Sequence, residues 1–281
     1  MPILARAVVP AETPQRLITT FLGAYVRQLG GWVAVADLIR LMADLGVDEQ
    51  SVRSSVSRLK RRGFLETEPH GRTAGYRLSD DALRILDTGD RRIYRSADIH
   101  QGEDWVLVLF SVPEALRHNR HLLRSRLEWL GFGNAAPGVW IAPAHVADEA
   151  AAMLEQLNLA QYATLFRSHY IGSATLVEMV TQWWDLEALG AAYDGFAGRF
   201  APVLASWDVA PGSPRAAFAD YISILTHWRR LPFLDPGLPA AVLPDGWEGH
   251  RARELFASLH ERLEPSARDH VEAVLRPITR T

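Results

Sequence analysis

The chain has 281 residues, 48% hydrophobic and 22% charged, with a formal charge of −3. That is globular composition, long enough for two or three domains. The chain contains no cysteine, which excludes a disulfide framework, a thiolate metal site and a cysteine nucleophile. The longest strongly apolar run, Trp105 to Val112, falls far short of the roughly 20 residues that cross a bilayer. The opening stretch MPILARAVVP lacks the apolar core of a secretory signal. A soluble, cytoplasmic protein without a membrane partner is therefore expected. Charge is uneven: residues 1–100 carry 15 Lys and Arg against 12 Asp and Glu, and residues 101–281 carry 15 against 21. Any contact with a polyanion must be local to a patch.

Thr13-Pro14 predicts a helix start. Leu17, Ile18, Phe21, Leu22, Tyr25, Val26 and Leu29 then recur on one face, until Gly30-Gly31. WVAV reads as a short strand. Ala36 to Leu45 reads as a second helix, followed by Gly46 as its left-handed cap. Asp48 stands where the N-cap of a third helix belongs, with Glu49 in the first turn. This third helix lies in SVRSSVSRLKRRGFL, which holds five of the chain's thirty basic residues. Val52, Val56 and Leu59 form its buried stripe. Gln50, Ser51, Arg53, Ser54, Ser57, Arg58 and Arg61 are the candidate DNA-binding residues on the remaining surface: small hydroxyls permit close approach, and arginines reach phosphates or guanine edges. Gly63 ends the helix. Phe64 to Glu68 and Ala74 to Leu78 are strand candidates around the turn PHGRTAG. The order is that of a winged helix-turn-helix, with the third helix placed for a major groove and Arg72 near the hairpin tip for flanking phosphates or a minor groove. A solvated basic helix in a structural domain, or a winged helix used for protein contacts, are the alternative readings.

Ser79 caps a linker helix over about Asp80 to Ser96. DWVLVLFSV reads as a central buried strand, Glu114 to Leu130 as an amphipathic helix, PGVWIAP as a strand, Asp148 to Leu157 as a helix and YATLFRSHYI as a strand. This β-α-β-α-β order predicts a ferredoxin-like unit. Residues 173–281 read as mostly helical. Leu176, Met179, Trp183 and Leu186 share one apolar face, and a proline-rich ordered loop, LPFLDPGLPAAVLPDGWEGH, precedes a final helix from about His250 to Leu263.

Three stretches taken together resemble the PaaX family of repressors of phenylacetate-degradation operons. They are GGWVAVADLIRLMADLGVDEQSVRSSVSRLKRRGFLETEPHGRTAGYRLS, WLGFGNAAPGVWIAP and YISILTHWRRLPFLDPGLPAAVLPDGWEGHRARELF. The last is the most specific. The resemblance implies a homodimer that binds a palindromic double-stranded operator through its winged helix and releases it when an aryl-acyl-CoA, such as phenylacetyl-CoA, is bound. It also implies that the middle unit is similar to the Cas2 fold. One departure concerns the wing: the family's Gly-Arg-Arg-Ser is Gly71-Arg72-Thr73-Ala74 here, so one wing arginine is missing.

The expected architecture is α+β. Residues 1–96 form a winged helix with its linker helix, 97–172 a ferredoxin-like (Cas2-like) unit, and 173–281 a helical effector and dimerisation domain. Trp183, Trp184 and Trp228 are candidates to line an aromatic acyl pocket, and Arg229 and Arg230 to bind CoA phosphates. Core packing of the tryptophans, and an Arg229 pairing with Asp235, are the structural alternatives. Cas2-type nucleases are proposed to hold a metal through an aspartate at the end of the first strand. Here Ser111-Val112-Pro113 supplies no carboxylate, and no nuclease is expected. His118 and His121, with Glu114 one turn earlier, are half a metal site at most. GFGNAAPG fails the phosphate-loop spacing. No nucleophile elbow, zincin or Walker motif occurs, so neither an enzyme nor a cofactor is expected. An acyl-CoA-acting enzyme and a protein-interaction module carrying a winged helix remain the alternatives.

Overall fold

The computed structural model describes residues 12–94 and 104–275. In chain order the elements are α1 (Pro14–Phe21), β1 (Trp32–Ala34), α2 (Val35–Asp44), α3 (Glu49–Arg61), β2 (Leu65–Thr67), β3 (Gly75–Leu78), α4 (Asp80–Ile93), β4 (Trp105–Phe110), α5 (Arg117–Trp129), β5 (Gly133–Ala136), β6 (Val139–Pro143), α6 (Ala147–Gln156), β7 (Ala163–Ser168), α7 (Leu176–Trp183), α8 (Leu186–Val209), α9 (Pro214–Trp228), α10 (Leu231–Leu234) and α11 (Glu248–Leu275). The class is α+β. The chain divides into two compact units; the divisions include one after Tyr94, one inside α8, one between α9 and α10 and one inside α11. The expected end of the linker helix at Ser96 and the 96/97 boundary lie outside the described residues.

One unit holds residues 12–94 with 195–229 and 251–275. Its three-stranded antiparallel sheet has the order β1-β3-β2, with Val33 opposite Tyr76 and Leu65 opposite Leu78. Against it stand α1, α2 and α3, the element order expected of a winged helix-turn-helix. The expected one-faced first helix differs from the structure in an instructive way. Leu17, Ile18, Phe21, Leu22, Tyr25 and Val26 are all buried, and so is the polar Thr20, at 2% exposed, while Leu29 is 39% exposed. The first helix widens into a π turn over Leu22–Val26, a local departure from the α ladder. It is buried on two sides because it belongs to two layers. One side packs on α2 and α3. The other meets α9, where the Phe21 and Phe218 rings lie edge to face at 6.2 Å and Tyr25 meets Tyr221 at 6.4 Å.

Several polar groups within this layer are matched, although the buried Tyr25 hydroxyl has no hydrogen-bond partner among the described residues. Thr226 Oγ1 donates to Thr20 Oγ1 at 2.8 Å, and Thr20 in turn donates to the Arg16 carbonyl. Asp44, at the end of α2, is gripped by Arg215 of α9 and His270 of α11, both at 2.7 Å. Glu12 accepts from Arg199 at 2.9 Å and Ser223 at 2.6 Å. α11 reaches Leu275, well past the expected stop at Leu263. Pro265 removes one helical hydrogen bond, but Leu263, Ala267 and Val271 are all fully buried, and that burial carries the helix through.

The other unit holds residues 104–194 with 230–250. Its four-stranded sheet has the order β5-β6-β4-β7, all pairs antiparallel, the ferredoxin-like β-α-β-β-α-β pattern. The strand absent from the sequence reading is β5. Its residues GNAA have poor strand propensity; it is an edge strand, and its register shifts between Asn134 and Ala136. Gly133 is required there, because a Cβ would come 2.8 Å from both the Trp183 carbonyl and the Trp184 ring. Val106, Val108, Trp140 and Ala142 form the core with Leu123 and Leu127 of α5 and Ala150 and Leu154 of α6. The apolar face expected to run from Leu176 to Leu186 is broken at Trp184, whose extended backbone separates α7 from α8.

Because α1 belongs to both layers of its unit, weakening α9 should loosen the winged helix as well. Phe218→Ala is expected to cost about 3–5 kcal/mol in denaturant unfolding, and to raise amide exchange in residues 14–26 as much as in α9. Exchange confined to α9 would show that the two layers are independent.

Candidate nucleic-acid interface

The α3 helix is fixed at both ends. Asp48 is its N-cap, and the carboxylate accepts from the Ser51 hydroxyl at 2.7 Å and the Ser51 N–H at 2.8 Å. These bonds hold the Asp48 carboxyl below its ordinary range. At the other end Gly63 adopts φ +69°. The Phe64 N–H bonds the Leu59 carbonyl and the Gly63 N–H bonds the Lys60 carbonyl, a Schellman closure that only a residue tolerating left-handed φ completes without strain. Ser79, the N-cap of α4, donates to the Gly63 carbonyl at 2.6 Å, so the end of α3 is tied to the helix after the hairpin. Basic residues in the last turn, Arg58, Lys60 and Arg61, sit at the favourable end of the helix dipole.

Val52, Ser55, Val56 and Leu59 face inward. Gln50, Ser54, Ser57 and Arg61 are exposed, and their spacing of i, i+4, i+7 and i+11 places them in one row along the outer side. Arg53 and Arg58, also exposed, flank that row. Three of the expected residues, Ser51, Arg53 and Arg58, are engaged within the helix. The Ser51 hydroxyl is consumed by the cap, and Arg53 pairs with Glu49 at 2.6 Å. Arg58 donates to buried Ser55 Oγ at 3.1 Å and has no carboxylate partner among the described residues. Neither does Arg61. Arg62, at the C-cap, is exposed and was missed, although it belongs to the same basic run. Lys60 lies over the Tyr76 ring, 5.9 Å from its centroid.

The hairpin is braced from below. Trp32 of β1 stacks on His70 with centroids 4.1 Å apart and donates to the Glu68 carbonyl at 2.7 Å. A Cβ at Gly75 would strike that indole at 2.2 Å, so only glycine fits. His70 and Thr73 exchange backbone bonds of 2.9 and 3.1 Å, leaving Gly71, at φ +60°, and exposed Arg72 at the tip. Arg77 is occupied by Glu66 and Glu68. Arg72 has no carboxylate partner among the described residues. The α3 row and the tip thus lie in one unit, with cations available and with a backbone fixed by caps, a stacked indole and a tight turn.

The residues expected around an effector are distributed differently. Trp183, Trp184 and Arg230 belong to the unit with the four-stranded sheet, Trp228 and Arg229 to the unit with the winged helix. Trp228 is 3% exposed, stacks on Phe256 at 4.5 Å and donates to the Ile93 carbonyl at 3.0 Å. It is a core residue. Trp183 and Trp184 form an aromatic cluster with Trp105, centroids 6.0–6.2 Å apart, and Trp184 donates to the Gly131 carbonyl at 2.9 Å. Arg229 and Arg230 are half-buried. Glu114, near the His118–His121 pair, is taken by Arg120 at 2.9 Å. No cluster of three metal-ligating side chains occurs among the described residues, and no described helix is long and apolar enough to cross a membrane.

Three family models match in order along the chain: the PaaX-like protein model over residues 13–82, the PaaX protein central Cas2-like domain over 100–180, and the PaaX-like protein C-terminal domain over 184–273. The chain is 29% identical over 257 residues to the transcriptional repressor PaaX of Escherichia coli K12, covering 89% of this chain and 80% of that one. Among solved structures it shares its fold with the uncharacterised protein Rv0674 of Mycobacterium tuberculosis, at a TM-score of 0.61 and 23% identity, covering 92% of this chain and 98% of the other. The chain belongs to the PaaX family.

Proposed function

We propose that this protein is a DNA-binding transcriptional regulator, a cytoplasmic homodimeric repressor that reads a palindromic operator with α3. The observation that carries the reading is the row Gln50, Ser54, Ser57 and Arg61 with Arg58 beside it. These are short polar side chains and arginines without carboxylate partners among the described residues, on the open side of a helix held rigid at both ends. Gln and Arg can make the bidentate contacts that distinguish adenine and guanine, and serines let the backbone approach. Arg53 reaches DNA only by leaving Glu49, and Ser51 serves the interface by fixing the cap. Arg72 supplies a phosphate or minor-groove contact at the flank.

The regulated genes are an aromatic-acid catabolic operon of the phenylacetate type, and the releasing effector is an aryl-acyl-CoA such as phenylacetyl-CoA. Family membership and the repressor name of the Escherichia coli relative support this reading. An acyl-CoA can release DNA only if it binds better to a protein geometry that misplaces the two reading helices. Trp183, Trp184, Arg229 and Arg230 are the residues to probe for the effector, while the burial of Trp228 gives it a structural role.

A gel-shift titration on the duplex upstream of the protein's own gene tests the proposal. A specific shift reversed by phenylacetyl-CoA supports regulator and effector together; a shift that the thioester leaves unchanged removes that effector. Arg58→Ala with Arg61→Ala should reduce specific affinity by at least a hundredfold, from about 1–3 kcal/mol for each lost base contact, with the fold unchanged by circular dichroism. Arg72→Ala should weaken all duplexes alike and make the log–log salt slope shallower by about 0.9 per bound protomer, as expected for one phosphate contact from each. A salt-independent interaction would contradict the DNA-binding reading.

A further inference from the structure

The basic run of α3 has a counterpart in the other unit. α5 carries Arg117, His118, Arg120, His121, Arg124 and Arg126, with Glu128 its only acidic residue. This is conspicuous in residues 101–281, where acidic side chains outnumber Lys and Arg by 21 to 15. Leu123 and Leu127 anchor the helix to the sheet, which leaves Arg117, His118, His121, Arg124 and Ser125 exposed. Arg117, His121 and Arg124 stand at i, i+4 and i+7, in line on that outer face.

Two observations separate this face from an ordinary solvated helix. The first is pairing. Most arginines with a described ion pair are held by a carboxylate nearby, as Arg27 is by Asp87 and Asp90, Arg77 by Glu66 and Glu68, and Arg268 by Glu264. Besides Arg16, two groups of arginines have no carboxylate partner among the described residues. One is Arg58, Arg61, Arg62 and Arg72 of the reading face. The other is Arg117, Arg124 and Arg126 of α5. The second observation is placement. The first turn of α5 contains no acidic residue, and Arg117 and His118 occupy the helix end where the macrodipole is already positive. Charge put there works against the helix, so helix stability does not account for it. Glu114, just upstream, is engaged by Arg120. The neighbouring helix α6 is acidic, with Asp148, Glu149 and Glu155, yet none of its carboxylates is described as pairing with Arg117, Arg124 or Arg126.

We infer that the outer face of α5 binds the phosphate backbone of duplex DNA, as a contact that adds affinity without reading sequence. The inference rests on the DNA-binding function proposed above. Guanidinium groups in line on a helix match phosphates spaced along a strand. The face offers them no short hydroxyl–amide row like that of α3, which fits positioning rather than base reading.

The test is an anisotropy titration of the full chain against its upstream duplex and a scrambled duplex of equal length, over a range of salt. Wild type is compared with Arg117→Gln/Arg124→Gln and with Arg117→Lys/Arg124→Lys. The glutamine pair should weaken both duplexes by the same factor and make the salt slope shallower by about two per bound protomer. The lysine pair, which keeps the point charges, should restore most of both. All of these side chains are exposed, so both pairs should stay folded, with the glutamine pair melting no lower than wild type because it removes an unfavourable charge at the helix start. An unchanged slope in the glutamine pair, with wild type binding specifically, overturns the α5 contact and leaves the α3 reading standing. A glutamine pair that keeps its slope but changes oligomeric state in sedimentation also overturns it, and assigns the face to an acidic surface such as α6 of a second copy. Wild type that binds neither duplex overturns the proposed function and this inference with it.

Discussion

The winged helix of this protein depends on one helix serving two cores. α1 and the π turn that extends it present Leu17, Ile18 and Leu22 together with Phe21 and Tyr25, and none of these is more than 3% exposed. A helix apolar on one stripe covers one neighbour; a helix apolar all round must be enclosed. Here α2 and α3 supply one side, and Phe218 and Tyr221 of α9 the other. The Thr20–Thr226 hydroxyl pair at 2.8 Å satisfies two polar groups that would otherwise be costly inside that layer. The N-terminal helices therefore share their core with helices from the C-terminal part of the chain, about two hundred positions away in sequence.

This arrangement has a mechanical meaning for a regulator. Asp44 ends α2, immediately before the turn that launches α3, and it is held by Arg215 and His270 from α9 and α11. Asp44 thus ties those helices to the start of α3 through one carboxylate, a guanidinium and an imidazole. The proposed effector needs a bistable element to bias. The buried Tyr25 and Tyr221 hydroxyls, both held protonated by burial, add no charge to this layer, and Tyr221 bonds His260 of α11 at 2.7 Å.

Much of this was legible in the sequence where local chemistry decides. Asp48 and Ser79 announced their caps, Gly46 and Gly63 their helix ends, and the alternation around PHGRTAG its hairpin. The open side of α3 followed from the spacing of Val52, Val56 and Leu59. What stayed hidden was set by tertiary contacts. The second buried side of α1 depends on α9, which periodicity within α1 cannot reveal. β5 is made of residues with little strand propensity and exists because β6 pairs with it. α11 continues through Pro265 because distant partners bury Leu263, Ala267 and Val271. The pairing of Arg53 with Glu49, and the lack of a carboxylate partner for Arg58, Arg61 and Arg117 among the described residues, emerged only from distances. Trp228, which its neighbours Arg229 and Arg230 made attractive as a ligand contact, is enclosed by Phe256 and Phe196.

The central claim is that the outer side of α3 lies in the major groove of a two-fold symmetric site. The absence of cysteine from the chain permits a direct test. A single cysteine at Ser57, carrying a tethered iron chelate, would generate hydroxyl radicals at the helix surface on the protein's own upstream duplex. The account predicts strand breaks in two clusters separated by about 10 bp or a multiple of it, and their loss when Arg58 and Arg61 are replaced by alanine. Specific binding of the duplex with breaks spread evenly along it, or with none, would contradict the placement of α3 in the groove.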